Sequence, residues 1–201
     1  MNKEKPIALL HSYLADREGK NRPDRLSRIN ILAAAELYRH EEIDKICITV
    51  TPKLTEMQVK RLKILLNNPR DEDLIVKPQT VTTREEISSF KSLAGKNEWK
   101  HLITVGNSVH LPRIKREIKN TFKDNSVKIE ARSSSEILSQ YPRYFNLLNN
   151  MNNWPEQHSL SFQEKILNTP IVGELILSMA PLFSQTKIFL QTLGFKILEK
   201  R

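Results

Sequence analysis

Glycine is scarce in this chain, at 5 of 201 residues. Phosphate cradles draw on glycine because a residue without a Cβ lets the backbone approach a ligand closely. Neither G-x-G-x-x-G nor G-x-x-x-x-G-K-[ST] occurs, so dinucleotide and P-loop chemistry have no support. Cysteine occurs once, as Cys47. A single thiol excludes a disulfide within the chain and points to a reducing compartment. Inside the apolar run 45–50 it reads as a buried, inert thiol. No cysteine–histidine cluster has metal-ligand spacing, and H-E-x-x-H and G-x-S-x-G are absent, so no metal is expected. The 11 Phe and Tyr residues are not interleaved with basic ones as in an RNA-binding sheet. Zinc-finger spacing and a helix-turn-helix are also missing, which argues against nucleic acid as a partner. The run Ile7–Leu10 is too short for a membrane span, and Gly173, Glu174 and Pro181 interrupt the apolar stretch 171–183. The expectation is a cytoplasmic protein with no transmembrane anchor.

Positive charge is plentiful. The net charge is +9, and residues 1–150 hold 27 Lys and Arg against 19 Asp and Glu. Residues 151–201 hold 5 against 4, so the excess is not a tail. A positive field suits an anionic ligand, and a solvated basic surface has the same composition. Hydrophobic residues make up 39% and charged residues 27%, ordinary values for a soluble globular chain.

Strand and helix patterns alternate five times. Continuously apolar Ile7–Leu10 reads as a strand buried on both faces. A long polar loop, 11–23, follows, and Asp24 or Ser27 opens a helix through Arg39. A strand over 45–50 leads through Thr51-Pro52 into a helix whose stripe is Met57, Val59, Leu62, Leu65 and Leu66. A third strand covers 73–76. Thr82-Thr83-Arg84-Glu85-Glu86 holds two overlapping capping boxes, and Gly95 is expected to end that helix. Strand 101–105 precedes a helix over 111–122 with Ile114, Ile118 and Phe122 at fourfold spacing. Strand 127–131 precedes a helix that Ser133 and Glu136 cap and that runs to about Leu148. Crossovers of this size require parallel strands. The expected fold is α/β: a Rossmann-like three-layer sandwich with a mostly parallel five-stranded sheet over residues 1–150. A C-terminal helical extension, 151–201, packs on it after the polar linker 149–155. The sequence leaves the oligomeric state open.

In such a sheet, ligands bind at the carboxyl ends of the strands. The turn Gly106-Asn107-Ser108, followed by His110, Pro112 and Arg113, lies at one such end. His110 is the candidate acid, base or donor, and Arg113 three residues on is a candidate anion clamp. Asn107 and Ser108 shape the turn. Thr83 and Glu85 start another helix on the same edge, where capping alone accounts for Glu85. Arg28 lies one turn into the first helix.

Three stretches in order, Asp24-Arg25-Leu26-Ser27-Arg28 with 31–38, Thr82-Thr83-Arg84-Glu85-Glu86, and Ser108-Val109-His110-Leu111-Pro112-Arg113, resemble the YdcF-like family, which includes the SanA and ElyC envelope proteins. The resemblance covers roughly residues 6–131. It implies a Rossmann-like sheet with a polar pocket at its carboxyl edge, lined by Arg28, Thr83, Glu85, His110 and Arg113. It also implies a small anionic or nucleotide-like ligand, S-adenosylmethionine first among them, and a link to cell-envelope metabolism. His11-Ser12 and Val50-Thr51-Pro52 stand where that family usually carries glycines. Lys77 stands for a glutamate, and Glu86 for an asparagine. Lost glycines favour an alternative: a non-enzymatic interaction protein with a degraded pocket, acting through its basic surface or C-terminal helices.

Overall fold

The computed structural model of the chain describes residues 5–12, 25–49, 52–67, 69–77, 80, 82–123 and 127–151. The C-terminal extension and most of the first loop lie outside these residues. Five strands, β1 (Ile7–Leu10), β2 (Lys45–Ile48), β3 (Leu74–Val76), β4 (His101–Gly106) and β5 (Lys128–Ser133), form one sheet. Their order is β3-β2-β1-β4-β5, and every pairing is parallel. Helices α1 (Arg25–Arg39), α2 (Pro52–Leu65), α3 (Thr83–Lys96) and α4 (Leu111–Thr121) connect the strands in turn. The α/β Rossmann-like sandwich is thus present, with an all-parallel sheet.

The alternation of side chains along β1 divides the core in two. Ala8 and Leu10 pack with Ile29, Ala33 and Leu37 of α1, Leu62 of α2, and Ile137 and Leu138 beyond β5. Ile7, Leu9 and Cys47 pack with Ile87 and Phe90 of α3 and Ile114 of α4. Ile118 and Phe122 join Ile114 there, as the fourfold spacing predicts. The Cys47 thiol is buried and pushed up to about 12 by desolvation. Among the described residues no helix is long and apolar enough to cross a membrane.

Helix ends show how the chain manages with few glycines. The left-handed residues that follow α1, α2 and α3 are Glu41, Asn67 and Glu98, with φ of 57°, 54° and 57°. Gly95 does not end α3: the helix runs on to Lys96. Asn97 ends it instead, with its backbone N–H and its Nδ2 both donating to Leu93 O, at 3.0 and 2.8 Å. Asp73 is not the start of β3 but closes a 3-10 turn, Asp71–Asp73. Its carboxylate accepts from Tyr38 Oη at 2.6 Å and from Arg70 Nη2 at 2.8 Å.

The expected single helix to Leu148 is broken. It becomes α5 (Ser134–Ser139), a 3-10 turn (Pro142–Tyr144) and α6 (Phe145–Met151). Proline disfavours the helical conformation for the residue before it, and Tyr141 is extended, with φ −119° and ψ 113°. Ser133 takes the N-cap position but makes no side-chain cap bond. The broken segment is tied to α1 through Glu36, which is 0% exposed. Its carboxylate accepts from Tyr144 Oη at 2.8 Å, from Arg39 Nη1 at 2.6 Å, and from Arg143. Burial pulls the Glu36 carboxyl up, but the bonds from Tyr144 and Arg39 and the charge of Arg143 outweigh it and hold it below the ordinary value.

Two measurements check this core. Cys47 is expected to resist thiol reagents in the native state and to react only on unfolding. Glu36→Gln is expected to destabilise the chain by about 2–3 kcal/mol at neutral pH, read from urea unfolding, through lost charge-assisted bonds. Because the folded carboxyl titrates below the unfolded one, this stabilisation is present above 4.5 and lost as pH falls through the lowered value. The difference between wild type and Glu36→Gln should therefore shrink on acidification.

Candidate functional site at the carboxyl edge of β1 and β4

Residue 11 is the first polar position after β1. It falls in the same side-chain phase as Ile7 and Leu9, so it faces α3 and α4. Its backbone N–H extends the ladder by donating to Val105 O at 3.1 Å. The His11 ring is fully buried, and its Nδ1 lies 2.6 Å from Glu86 Oε2 of α3. Asn30 of α1 reaches the same spot from the opposite layer, donating from Nδ2 to His11 O at 2.9 Å. Gln58 of α2 bonds Ser12 Oγ.

The start of α3 positions two more groups. Thr82 Oγ accepts from Glu85 N at 3.2 Å, and Glu85 Oε2 accepts from Thr82 N at 3.0 Å. This is a complete capping box. The second expected box, Thr83 with Glu86, does not form. Thr83 is already the first helical residue, and Glu86 lies with Thr83, Ile87 and Phe90 on the buried stripe. Both side chains turn inward, Glu86 to His11 and Thr83 to His110.

Beyond β4 the buried Asn107 organises the turn. Its Oδ1 accepts from Val109 N at 2.9 Å, and its carbonyl accepts from His110 N at 3.0 Å and Leu111 N at 3.1 Å. Pro112 sits in the first turn of α4, where its missing N–H costs no helical bond. His110, the residue before the helix, makes no cap bond and buries its ring instead. Thr83 Oγ lies 2.9 Å from His110 Nε2. Arg113 Nε and Nη2 lie 2.9 and 2.6 Å from the same nitrogen.

These contacts assign the tautomer. A guanidinium only donates, so His110 Nε2 is an acceptor and the ring proton is on Nδ1. Burial, and after it the Arg113 charge, hold the His110 imidazole well below 6.5. The ring is therefore neutral at neutral pH. Of the acid, base or donor roles expected of it, this geometry provides an acceptor that ties Thr83 to Arg113. The His11 and His110 rings meet edge to face, with centroids 5.8 Å apart.

Of the residues expected in the pocket, the structure brings Thr83, His110 and Arg113 together. Asn107 supports their turn, and Ser108 is exposed on it. Glu85 is an exposed capping residue. Arg28 lines a separate recess of about 250 Å³ with Arg25, Ile29, Leu32, Arg61 and Leu147. Among the described residues, no group of three or more His, Cys, Asp or Glu is placed to hold a metal ion. Sequence reasoning missed His11 and Glu86. Two signals pointed to them: the strand phase of residue 11, and the helical spacing that sets Glu86 beside Ile87 and Phe90.

A neutral buried imidazole makes a pH prediction. A folded-state value below the unfolded 6.5 gives stability that is present above 6.5 and lost as pH falls below it. The loss is up to about 1.4 kcal/mol per pH unit. His110→Gln should show a flatter stability profile from neutral pH down to about pH 5 in chemical unfolding. Parallel profiles would contradict the assignment.

The chain was compared with protein-family models, curated proteins and solved structures, and none of them matches it.

Proposed function

We propose that the chain binds a small anionic or nucleotide-like molecule at the carboxyl edge of its sheet, as a YdcF-like protein would. One observation carries the reading: buried polar groups from β1, α3 and the β4–α4 turn converge beside the β1–β4 pair. The sheet order makes that pair the switch point, where α/β sheets take their ligands. In this reading Arg113 is the anion clamp, Thr83 the second anchor, and His110 the residue that orients both. The N-termini of α3 and α4 add partial positive charge on the same side.

The departures from the YdcF-like pattern bear on the reading in a specific way. His11 replaces an expected glycine and Glu86 an expected asparagine, and these two residues contact each other. They form one paired substitution, which supports a re-equipped pocket over an eroded one.

S-adenosylmethionine is the first ligand to test, with nucleotides and sugar phosphates beside it. A ligand at one hundred times its Kd is expected to stabilise the fold by about 2.7 kcal/mol, seen as a rise in Tm. Arg113→Ala and His110→Ala are expected to reduce that rise. A wild type that none of these molecules shifts would remove the proposal, and variants that respond as fully as the wild type would move the site elsewhere.

A further inference from the structure

Several buried polar atoms around this site lack a hydrogen-bond partner among the described residues, and two of them adjoin residue 11. His11 Nε2 is buried and has no hydrogen-bond partner among the described residues. Its state follows from the other side of the ring. Glu86 Oε2 lies 2.6 Å from Nδ1, and a carboxylate accepts, so in the neutral ring the proton sits on Nδ1 and Nε2 is an acceptor. Asn30 repeats the pattern from the opposite layer. Its Nδ2 donates to His11 O at 2.9 Å, which fixes the orientation of the amide. Its Oδ1 is then a buried acceptor, also without a partner among the described residues. Both acceptors are anchored on residue 11, one through its own ring and one through its carbonyl. Withdrawing an acceptor from water with nothing in exchange is unfavourable, and two such atoms on one residue's surroundings mark a place built to receive donors.

We propose that the exit of β1 is a hydroxyl-reading subsite: His11 Nε2 and Asn30 Oδ1 accept hydrogen bonds from hydroxyl groups of the bound molecule. The inference rests on the anion site of the preceding subsection and, among the ligands proposed there, favours a polyol phosphate, the ribose phosphate of a nucleotide included, over S-adenosylmethionine, which has no phosphate. The phosphate lies toward Arg113 and Thr83, and the hydroxyls lie toward His11, whose ring adjoins that of His110 at 5.8 Å. Neutral imidazole and amide acceptors match a neutral hydroxyl. The Arg113 guanidinium on His110 opposes an ammonium donor. Glu86 is a positioning residue that acts by holding the His11 tautomer.

A matched pair of probes isolates the subsite. sn-Glycerol 3-phosphate and n-propyl phosphate share the charge and the chain length and differ in the hydroxyls. Calorimetric titration of wild type should give a Kd for the glycerol ester at least about tenfold lower, which is about 1.4 kcal/mol. His11→Asn keeps a donor for Glu86 and deletes Nε2. It should bring the glycerol ester to the affinity of the propyl ester and leave the propyl ester unchanged. Wild type binding the two esters equally, or His11→Asn keeping the preference, overturns the subsite while the anion site stands. Neither ester binding to wild type, or Arg113→Gln leaving both affinities intact, overturns the anion reading and the subsite with it. Nitrogen-15 resonances of the wild-type imidazole give a readout that needs no variant: a proton on His11 Nε2 overturns the inference.

Discussion

Complete burial of β1 is the constraint on which the structure depends. Ala8, Leu9 and Leu10 are 0% exposed and Ile7 is 4% exposed. A strand with parallel neighbours on both edges and apolar layers on both faces has no room for a polar side chain before it ends. Polar function can begin only at residue 11. That residue emerges between the carboxyl ends of β2 and β4, with α1 on one side and α3 and α4 on the other. The same constraint that makes the strand featureless makes the residue after it the meeting point of four elements.

Buried acids use this architecture in a consistent way. Glu36 ties α1 to the turn after α5. Asp73 ties the approach of β3 to Tyr38 of α1. Glu117 of α4 accepts from Arg84 Nε of α3 at 3.1 Å. Glu86 ties α3 to the end of β1. Each acid joins elements distant in sequence, and each accepts from at least one donor, because an unpaired charge would be too costly to bury. Glu86 differs in its partner. Its donor is an imidazole whose second nitrogen is left as an acceptor, so this tie also creates a binding group.

The elements were largely legible in the sequence because their signals are local. A continuous apolar run predicts β1 with its observed ends, and the capping box at Thr82 and Glu85 predicts the start of α3. The errors came where two local rules competed. Gly95 had the residue type of a helix end, but Asn97 supplied the cap bonds and Glu98 the left-handed turn. Ser133 and Glu136 had the spacing of a cap for a long helix, but Pro142 forced Tyr141 out of the helical region. The site was legible in part. His110, Arg113 and Thr83 stood at helix starts on one sheet edge, so topology alone brought them together. Arg28 started the same way, and its side chain lines another recess. Glu86 read as a capping residue because its spacing from Thr83 fits one, and only the buried stripe of α3 shows that it faces the sheet.

Residue types and spacing by themselves determined the alternation of strand and helix, the parallel sheet, the absence of glycine phosphate cradles, and the edge at which polar groups gather. These follow from period, length and backbone chemistry, and they need no knowledge of partners. The tertiary structure alone decided which partners the ring nitrogens of His11 and His110 meet. His11 and Glu86 are separated by 75 positions, and His110 and Thr83 by 27. A tautomer is set by the neighbour on the other side of the ring, and that neighbour is chosen by the packing of one layer against another. Periodicity shows the layer a side chain faces, but only the packed layers set the atom it meets.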